Sequence, residues 1–351
     1  MEIKMKFKTD RDYLIECLKE LLSTPSPTGY YVKLKPVIEK LAAELGKEVT
    51  YDNKNTAYIT LDGEDNSKTV LVSAHADTLG LVVRNIESNG WISIRKIGGC
   101  TFPSLEGESV TVHTRDGREY SGLIICKSHS SHVFEDAHTL ERNENTLRVL
   151  LDENVHSKDD VKALGIQNGD IISVDPRFQY TSTGYIKSRY IDDKGGLACC
   201  FAALKYLTEN NLKPKYKTIL AFPYYEELGI GGAFVPDGVS EYVAVDIGLI
   251  GPELDGGEHK VSICAKDVVT PYDYDLTTRL INCAKKAGCD YAVDVFFRYS
   301  TDAVAAIKAG NDLRHAAFGM AVYCSHGMER THIDGLDATV NLILAYMLDE
   351  N

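Results

Sequence analysis

The chain has 351 residues, 44% apolar and 25% charged, the balance of a globular protein with one large or two moderate cores. Its formal net charge of −13, from 51 acidic against 38 basic side chains, argues against nucleic acid as the main partner and leaves an excess that bound divalent cations would offset. No apolar run is long enough to span a bilayer, so no membrane partner is expected.

The first residues, Met1-Glu2-Ile3-Lys4-Met5-Lys6, are charged and lack the apolar stretch of a secretory signal. Helical periodicity runs over 11–22, with Leu14, Cys17, Leu18, Leu21 and Leu22 on one face, and over 31–45, where Pro36 fits the first turn of a helix starting near 35. Ser23-Thr24-Pro25-Ser26-Pro27-Thr28-Gly29 reads as a break between the two. Strands are predicted at 56–61 and 69–74, the second running into His75. From about 79 the pattern becomes all-β: apolar runs flank Asn89-Gly90 and again Asp116-Gly117, two hairpin signals. Residues 128–148 read as a long polar loop, followed by a short helix near 157–164 and a strand at 170–174.

Beyond about 188, helix and strand alternate: helices at 194–208, 274–287, 302–309 and 336–348, strands at 217–223, 242–246, 292–297 and 315–318. The pattern predicts an α/β domain made from both ends of the chain, 1–78 with 184–351, and a β-rich insertion over 79–183. The nine cysteines are odd in number, form no Cys-x-x-Cys and sit mostly among apolar neighbours. They read as reduced core thiols, which makes the cytoplasm the expected compartment.

Glu226-Glu227 is the most informative pair. Two adjacent carboxylates after a buried strand raise each other's pKa and resist desolvation, unless a cation compensates. His75, Asp246 and this pair all follow strands, and ligands in open α/β sheets gather beyond the carboxyl ends of strands. The proposed metal ligands are His75, Asp192, Glu227, Asp246 and His326, a nitrogen and oxygen set that suits two ions of zinc, cobalt or manganese. Asp192 is chosen as the bridge. Asp77 would accept the second ring N–H of His75. Glu226 would be the general base, deprotonating water held between the metals and then protonating the leaving amine.

Each residue also has an ordinary reading. Asp192 and Asp193 could cap the helix that follows, Asp246 could cap a turn, and Glu226-Glu227 could open a helix whose dipole welcomes acids. His332 and Cys324 are rivals to His326 as the last ligand, with His332 placed like His326 in a polar loop. The metal reading rests on the conjunction.

Five stretches carry a resemblance: Ala74-His75-Ala76-Asp77-Thr78-Leu79-Gly80, Ser188-Arg189-Tyr190-Ile191-Asp192-Asp193-Lys194-Gly195-Gly196, Glu226-Glu227-Leu228-Gly229 with Gly232-Ala233, Val245-Asp246, and Ser300-Thr301-Asp302-Ala303. With the segment ending Leu164-Gly165-Ile166-Gln167-Asn168-Gly169-Asp170, they resemble the dinuclear metallo-aminopeptidases that assemble as tetrahedral shells, the forty-second family of metallopeptidases (glutamyl/leucyl aminopeptidase-like). The resemblance implies a mixed-sheet zinc-exopeptidase domain with an inserted β-barrel-like lid or dimerisation domain. It implies two divalent ions per subunit, short peptide substrates, and dimers assembling into a dodecamer. It assigns ligand roles to His75, Asp192, Glu227, Asp246 and His326, the catalytic base to Glu226, and the place behind the histidine to Asp77. In two places the chain departs from the pattern: His326 follows Ser325 instead of preceding serine, and Lys194 stands where arginine is common. Two alternatives stand beside this reading: a related dinuclear amidohydrolase (deacylase, dipeptidase or carboxypeptidase), and a catalytically silent assembly protein on the same fold.

Overall fold

The structure, a computed structural model, describes residues 5–348; the residues before Met5 in the charged N-terminal stretch lie outside the described residues. The chain forms two units, one from the residues up to Asp77 together with those from Arg177 onward, the other from Thr78–Pro176.

Among the described residues, the first unit holds a nine-stranded mixed sheet. Its central strands, Tyr216–Phe222, Asp65–Ser73, Val239–Val245 and Arg314–Val322, lie side by side in that order and all run parallel. Val261–Lys266 pairs antiparallel with Arg314–Val322, and Ala57–Leu61 does the same with Tyr216–Phe222 on the other flank. Both faces of the sheet are covered, as a parallel sheet requires. Val70, Val72, Val243, Val245 and Phe318 point to one face, where they meet helices Arg11–Ser23, Ile191–Glu209, Tyr274–Ala287 and Ile333–Met347. Leu71, Ala244 and Ala317 point to the other, against helix Asp302–Lys308. The alternation follows from the two-residue period of a strand.

One buried ion cluster braces this sheet. The Glu241 carboxylate, almost fully buried, accepts from Lys68 at 2.5 Å, from Tyr346 at 2.8 Å and from Arg279. Burial alone would raise its pKa, but these donors outweigh burial and hold it below the ordinary value. Glu241→Ala should destabilise the protein by about 3 kcal/mol or more in urea unfolding, because it strands two cations around an empty pocket.

The second unit is a closed antiparallel barrel. Its strands follow the order Gly80–Ile86, Ile92–Ile97, Leu147–Leu151, Glu119–Cys126, Ser109–His113, Ile171–Val174, and the last pairs with the first. Leu81, Ile94, Val112, Ile124, Val149 and Ile172 fill the interior. The turns at Asn89-Gly90 and Asp116-Gly117 join hairpins as their sequence predicts, and both glycines adopt positive φ.

The structure corrects several boundaries. Leu147–Leu151 is a barrel strand where the sequence suggested the end of a loop. Its pattern is masked by Arg148, which is buried and paired with Glu87 at 2.6 Å. Val261–Lys266 was not anticipated, nor was the small sheet in which Tyr185–Ser188 pairs with Gln179–Tyr180 and Glu329–His332. Val261–Lys266 and Glu329–His332 pair with strands distant in sequence, and Gln179–Tyr180 and Tyr185–Ser188 are only two and four residues long, so little local pattern marks them. The second unit accordingly ends at Pro176, whereas the sequence reading carried the insertion to 183.

Candidate metal centre

The four central parallel strands each deliver a candidate residue at or just past the carboxyl end. Asp65–Ser73 leads to His75, Tyr216–Phe222 to Glu226 and Glu227, Val239–Val245 to Asp246, and Arg314–Val322 to His326. Asp192 enters from the start of Ile191–Glu209, where Asp192 and Asp193 are not helical and the peptide between them is cis.

These side chains converge. His75 Nε2 lies 3.0 Å from Asp192 Oδ1 and 3.8 Å from Glu226 Oε2. His326 Nε2 lies 3.5 Å from Asp192 Oδ2 and 3.6 Å from Glu227 Oε2. Asp192 therefore turns one carboxylate oxygen to each histidine. Donor atoms of His75, Glu226 and Asp246 fall within 4.8 Å of one another, as do those of His75, Asp192 and Glu227.

A surrounding layer of buried carboxylates grips the backbone of these residues. Asp77 accepts the backbone N–H of Glu226 at 3.1 Å and of Glu227 at 3.4 Å, along with the Thr28 hydroxyl at 2.6 Å. Glu329, buried, accepts the N–H of Asp192 at 3.0 Å and of His326 at 3.1 Å, which ties those two segments together. Asp193 accepts from His75 N at 3.0 Å and from Gly196 N at 3.1 Å. The capping reading thus holds for Asp193, while Asp192 faces the centre. Asp302 accepts from Gly232 N at 2.6 Å and lines the same pocket as His75, Glu226 and Asp246.

Two details depart from the sequence reading. His75 Nδ1 is nearest the Asp77 backbone carbonyl, at 2.9 Å, with the Asp77 carboxylate at 3.5 Å. The carbonyl therefore fixes the tautomer, and the carboxylate mainly holds the Glu226-Glu227 turn. The segment 23–29 is more than a break: Lys194 Nζ donates to Ser26 Oγ at 2.6 Å, and Ser26 donates to the Ala76 carbonyl at 2.7 Å, bracing the His75 loop. Glu329, Lys194 and Ser26 were not singled out as functional from the sequence. Their signal is three-dimensional: each touches backbone or a side chain far away along the chain.

Of the rival ligands, His332 lies elsewhere. His332 bonds to the Thr183 carbonyl and caps Ile333–Met347, at the end of a strand and not in a loop. Cys324 is exposed.

Glycine makes room at the centre. A Cβ on Gly319 would stand 1.8 Å from the Asp246 carbonyl oxygen, and one on Gly232 would stand 2.0 Å from the Asp302 carbonyl oxygen. Gly319→Ala should displace Asp246 and lower kcat about 10²-fold in a peptidase assay, the scale of a misplacement of about 1 Å.

The electrostatics favour a cation. Burial pushes Glu226 well above its ordinary pKa, with the charges of Asp246, Asp302 and Glu227 adding to it against His75. Burial and the charge of Asp192 push Glu227 to about 8 and Asp246 to about 7. Glu329 is raised the same way. His75 goes against burial: hydrogen bonds to Asp192 and Asp77 and the charge of Glu226 push its pKa well up. Lys194, the cation beside this group, is itself depressed by burial to about 7. A buried set of carboxylates short of positive charge, with imidazole nitrogens and carboxylate oxygens converging and no thiolate, fits hard-to-borderline divalent ions.

The M42 glutamyl aminopeptidase family matches residues 55–342. The chain belongs to that family. Family members are aminopeptidases, hydrolases of the exopeptidase class, and so is this chain. YhfE of Bacillus subtilis (strain 168) is 39% identical over 334 residues, covering 95% of this chain and 96% of YhfE. Among solved structures, the aminopeptidase APDkam598 from the archaeon Desulfurococcus kamchatkensis superposes with a TM-score of 0.86 at 23% identity, over 97% of this chain and 95% of that one. The TET1 peptidase of Pyrococcus horikoshii, which can assemble into a tetrahedron or a large octahedral shell, gives 0.84 at 24% identity, over 96% and 99%. The fold expected from the sequence, a mixed-sheet zinc-exopeptidase unit with an inserted barrel, is the fold these structures share. Among the described residues no helix is long and apolar enough to cross a membrane.

Proposed function

We propose that this aminopeptidase is dinuclear: two divalent ions, zinc or alternatively cobalt or manganese, are held by His75, Asp192, Glu227, Asp246 and His326, with Asp192 between them. The observation that carries the reading is the Asp192 carboxylate, one oxygen facing His75 and the other facing His326. Held by those residues, divalent ions would supply Lewis acidity for the scissile carbonyl and for a water nucleophile near neutral pH.

Glu226 is the general base. Its side chain is 13% exposed against 4% for Glu227, so of the pair it is the one that substrate and water reach. The raised pKa lets the carboxyl group accept a proton from the attacking water and pass it to the departing amine near neutral pH. Asp77 acts on Glu226 and Glu227 through their backbone N–H groups, aiming one outward and one inward.

The substrates are short peptides with a free N-terminus. Activity on amino-acyl anilides that is lost with chelator and restored by zinc, cobalt or manganese supports the reading. Full activity after metal removal, or turnover confined to N-acyl amino acids, overturns it.

The Thr78–Pro176 barrel is proposed to serve as the lid and as the contact between copies, with dimers building a dodecamer, on the strength of the shell formed by the Pyrococcus horikoshii relative. Light scattering of the intact protein tests this, and a monomer at working concentration overturns it. All nine cysteines are free, which suits a cytoplasmic protein.

A further inference from the structure

Among the described residues, strand Tyr291–Val295 forms one edge of the nine-stranded sheet and pairs only with Val261–Lys266. That pairing is parallel, and its register fixes which backbone groups it uses. Val261 donates its N–H to the Asp290 carbonyl at 3.0 Å, and Phe296 donates to the Lys266 carbonyl at 2.8 Å. Backbone groups alternate sides along a strand, so those of Ala292 and Asp294 face Val261–Lys266 as well. Those of Tyr291, Val293 and Val295 point away from the sheet.

The side chains alternate too. Ala292, Asp294 and Phe296 are buried. Asp294 accepts from the Asp255 N–H and from Ser262 Oγ, both at 2.8 Å, which locks the strand's facing. Val293 and Val295 are 38% and 56% exposed, and Phe297, just past the strand, is 77% exposed. Proteins blunt such an edge with charge, proline or a very short strand. The opposite edge of this sheet obeys: Thr50–Tyr51 is two residues long. Tyr291, Val293, Val295 and Phe297 offer neither a charge nor a proline.

We propose that this edge pairs antiparallel with the same strand of a second copy of the chain, across a two-fold axis at Val293. In that register Val293 faces Val293 of the partner subunit, and Tyr291 faces Val295 of the partner subunit. All three residues direct N–H and C=O outward, so each facing pair exchanges two hydrogen bonds. A slip of one residue would set outward groups against inward ones. Tyrosine opposite valine is a favourable aromatic and β-branched pair. Charge selects the direction. Asp290 and Arg298, both exposed, stand at the two ends of the segment. Antiparallel pairing brings the acid of each copy toward the base of the other, whereas parallel pairing would set like against like. An isologous contact of this kind is closed, so it limits the edge to one partner. It lies wholly within the first unit and asks nothing of the barrel.

The molar mass of the intact protein is measured by light scattering beside Val293→Lys and Val293→Glu, each alone and in equimolar mixture. Either substitution alone sets like charges face to face on the axis, and each variant is expected to show half the parental mass or less. The mixture is expected to recover the parental mass, because lysine then faces glutamate. Misfolding cannot produce that recovery, and circular dichroism checks the fold of each variant. A monomeric parent, variants of parental mass, or a mixture that stays apart overturns the proposal. If the barrel makes no contact, the parent is still a dimer through this edge, so the two contacts fail separately.

Discussion

Glu226→Gln should bind metal as the parent does and lose about 10²–10⁴-fold in kcat, with KM nearly unchanged. The substitution keeps the shape of the side chain and its backbone bond to Asp77. It removes only the ability to take a proton. Metal retention follows because Asp192, Glu227, Asp246 and both histidines are untouched. Bound metal is measured alongside turnover of an amino-acyl anilide. If the variant keeps parental turnover, Glu226 is not the base. If it loses metal together with turnover, Glu226 is a ligand, a role its proximity to His75 and Asp246 also permits.

Asp192→Ala should have the second large effect, on metal and stability together. The parent gains about 2.7 kcal/mol from metal supplied at 100 times the dissociation constant of the centre. The variant should lose that gain and its turnover with it. The metal-free parent should also show a pH dependence of definite sign. Glu227 and Asp246 have folded pKa values raised to about 8 and about 7, and that of His75 is raised too. Groups raised on folding stabilise the protein below their unfolded pKa and lose that contribution as pH rises through the folded value. Asp192, whose pKa is lowered, adds nothing that varies over this range. The chelated protein should therefore melt at a lower temperature at pH 8 than at pH 5.5. Zinc should flatten the difference, because a bound cation replaces the protons. A chelated protein equally stable at both values would contradict the electrostatic description of the centre.

Much of the centre was legible because one rule placed it. His75, Asp246 and Glu226-Glu227 all follow strands whose apolar runs are unmistakable, and ligands collect at such ends. The alternating helices and strands of the second half and the two barrel hairpins were legible for the same reason: local period and turn residues carry them. What escaped depends on partners far away in sequence. Glu329 looks like an ordinary acid in a polar stretch until the fold sets it behind both Asp192 and His326. Gly319 looks like an interruption in a strand until the Asp246 backbone is seen against it. Asp77 was placed rightly beside His75, yet its carboxylate chiefly serves the glutamates that follow the next strand of the sheet. His332 and His326, six positions apart in a polar stretch, could not be told apart by composition. The turn at 324–327 and the strand Glu329–His332 send them to different clusters.

The order in which the sheet is threaded carries a consequence for synthesis on the ribosome. Strand Asp65–Ser73 finds its parallel neighbours only when Tyr216–Phe222 and Val239–Val245 exist, with the whole Thr78–Pro176 barrel translated in between. The barrel is contiguous and can fold as soon as it emerges; the sheet cannot. A nascent polypeptide thus cannot complete the sheet that gathers the site's side chains until its last parallel strand, Arg314–Val322, has been made.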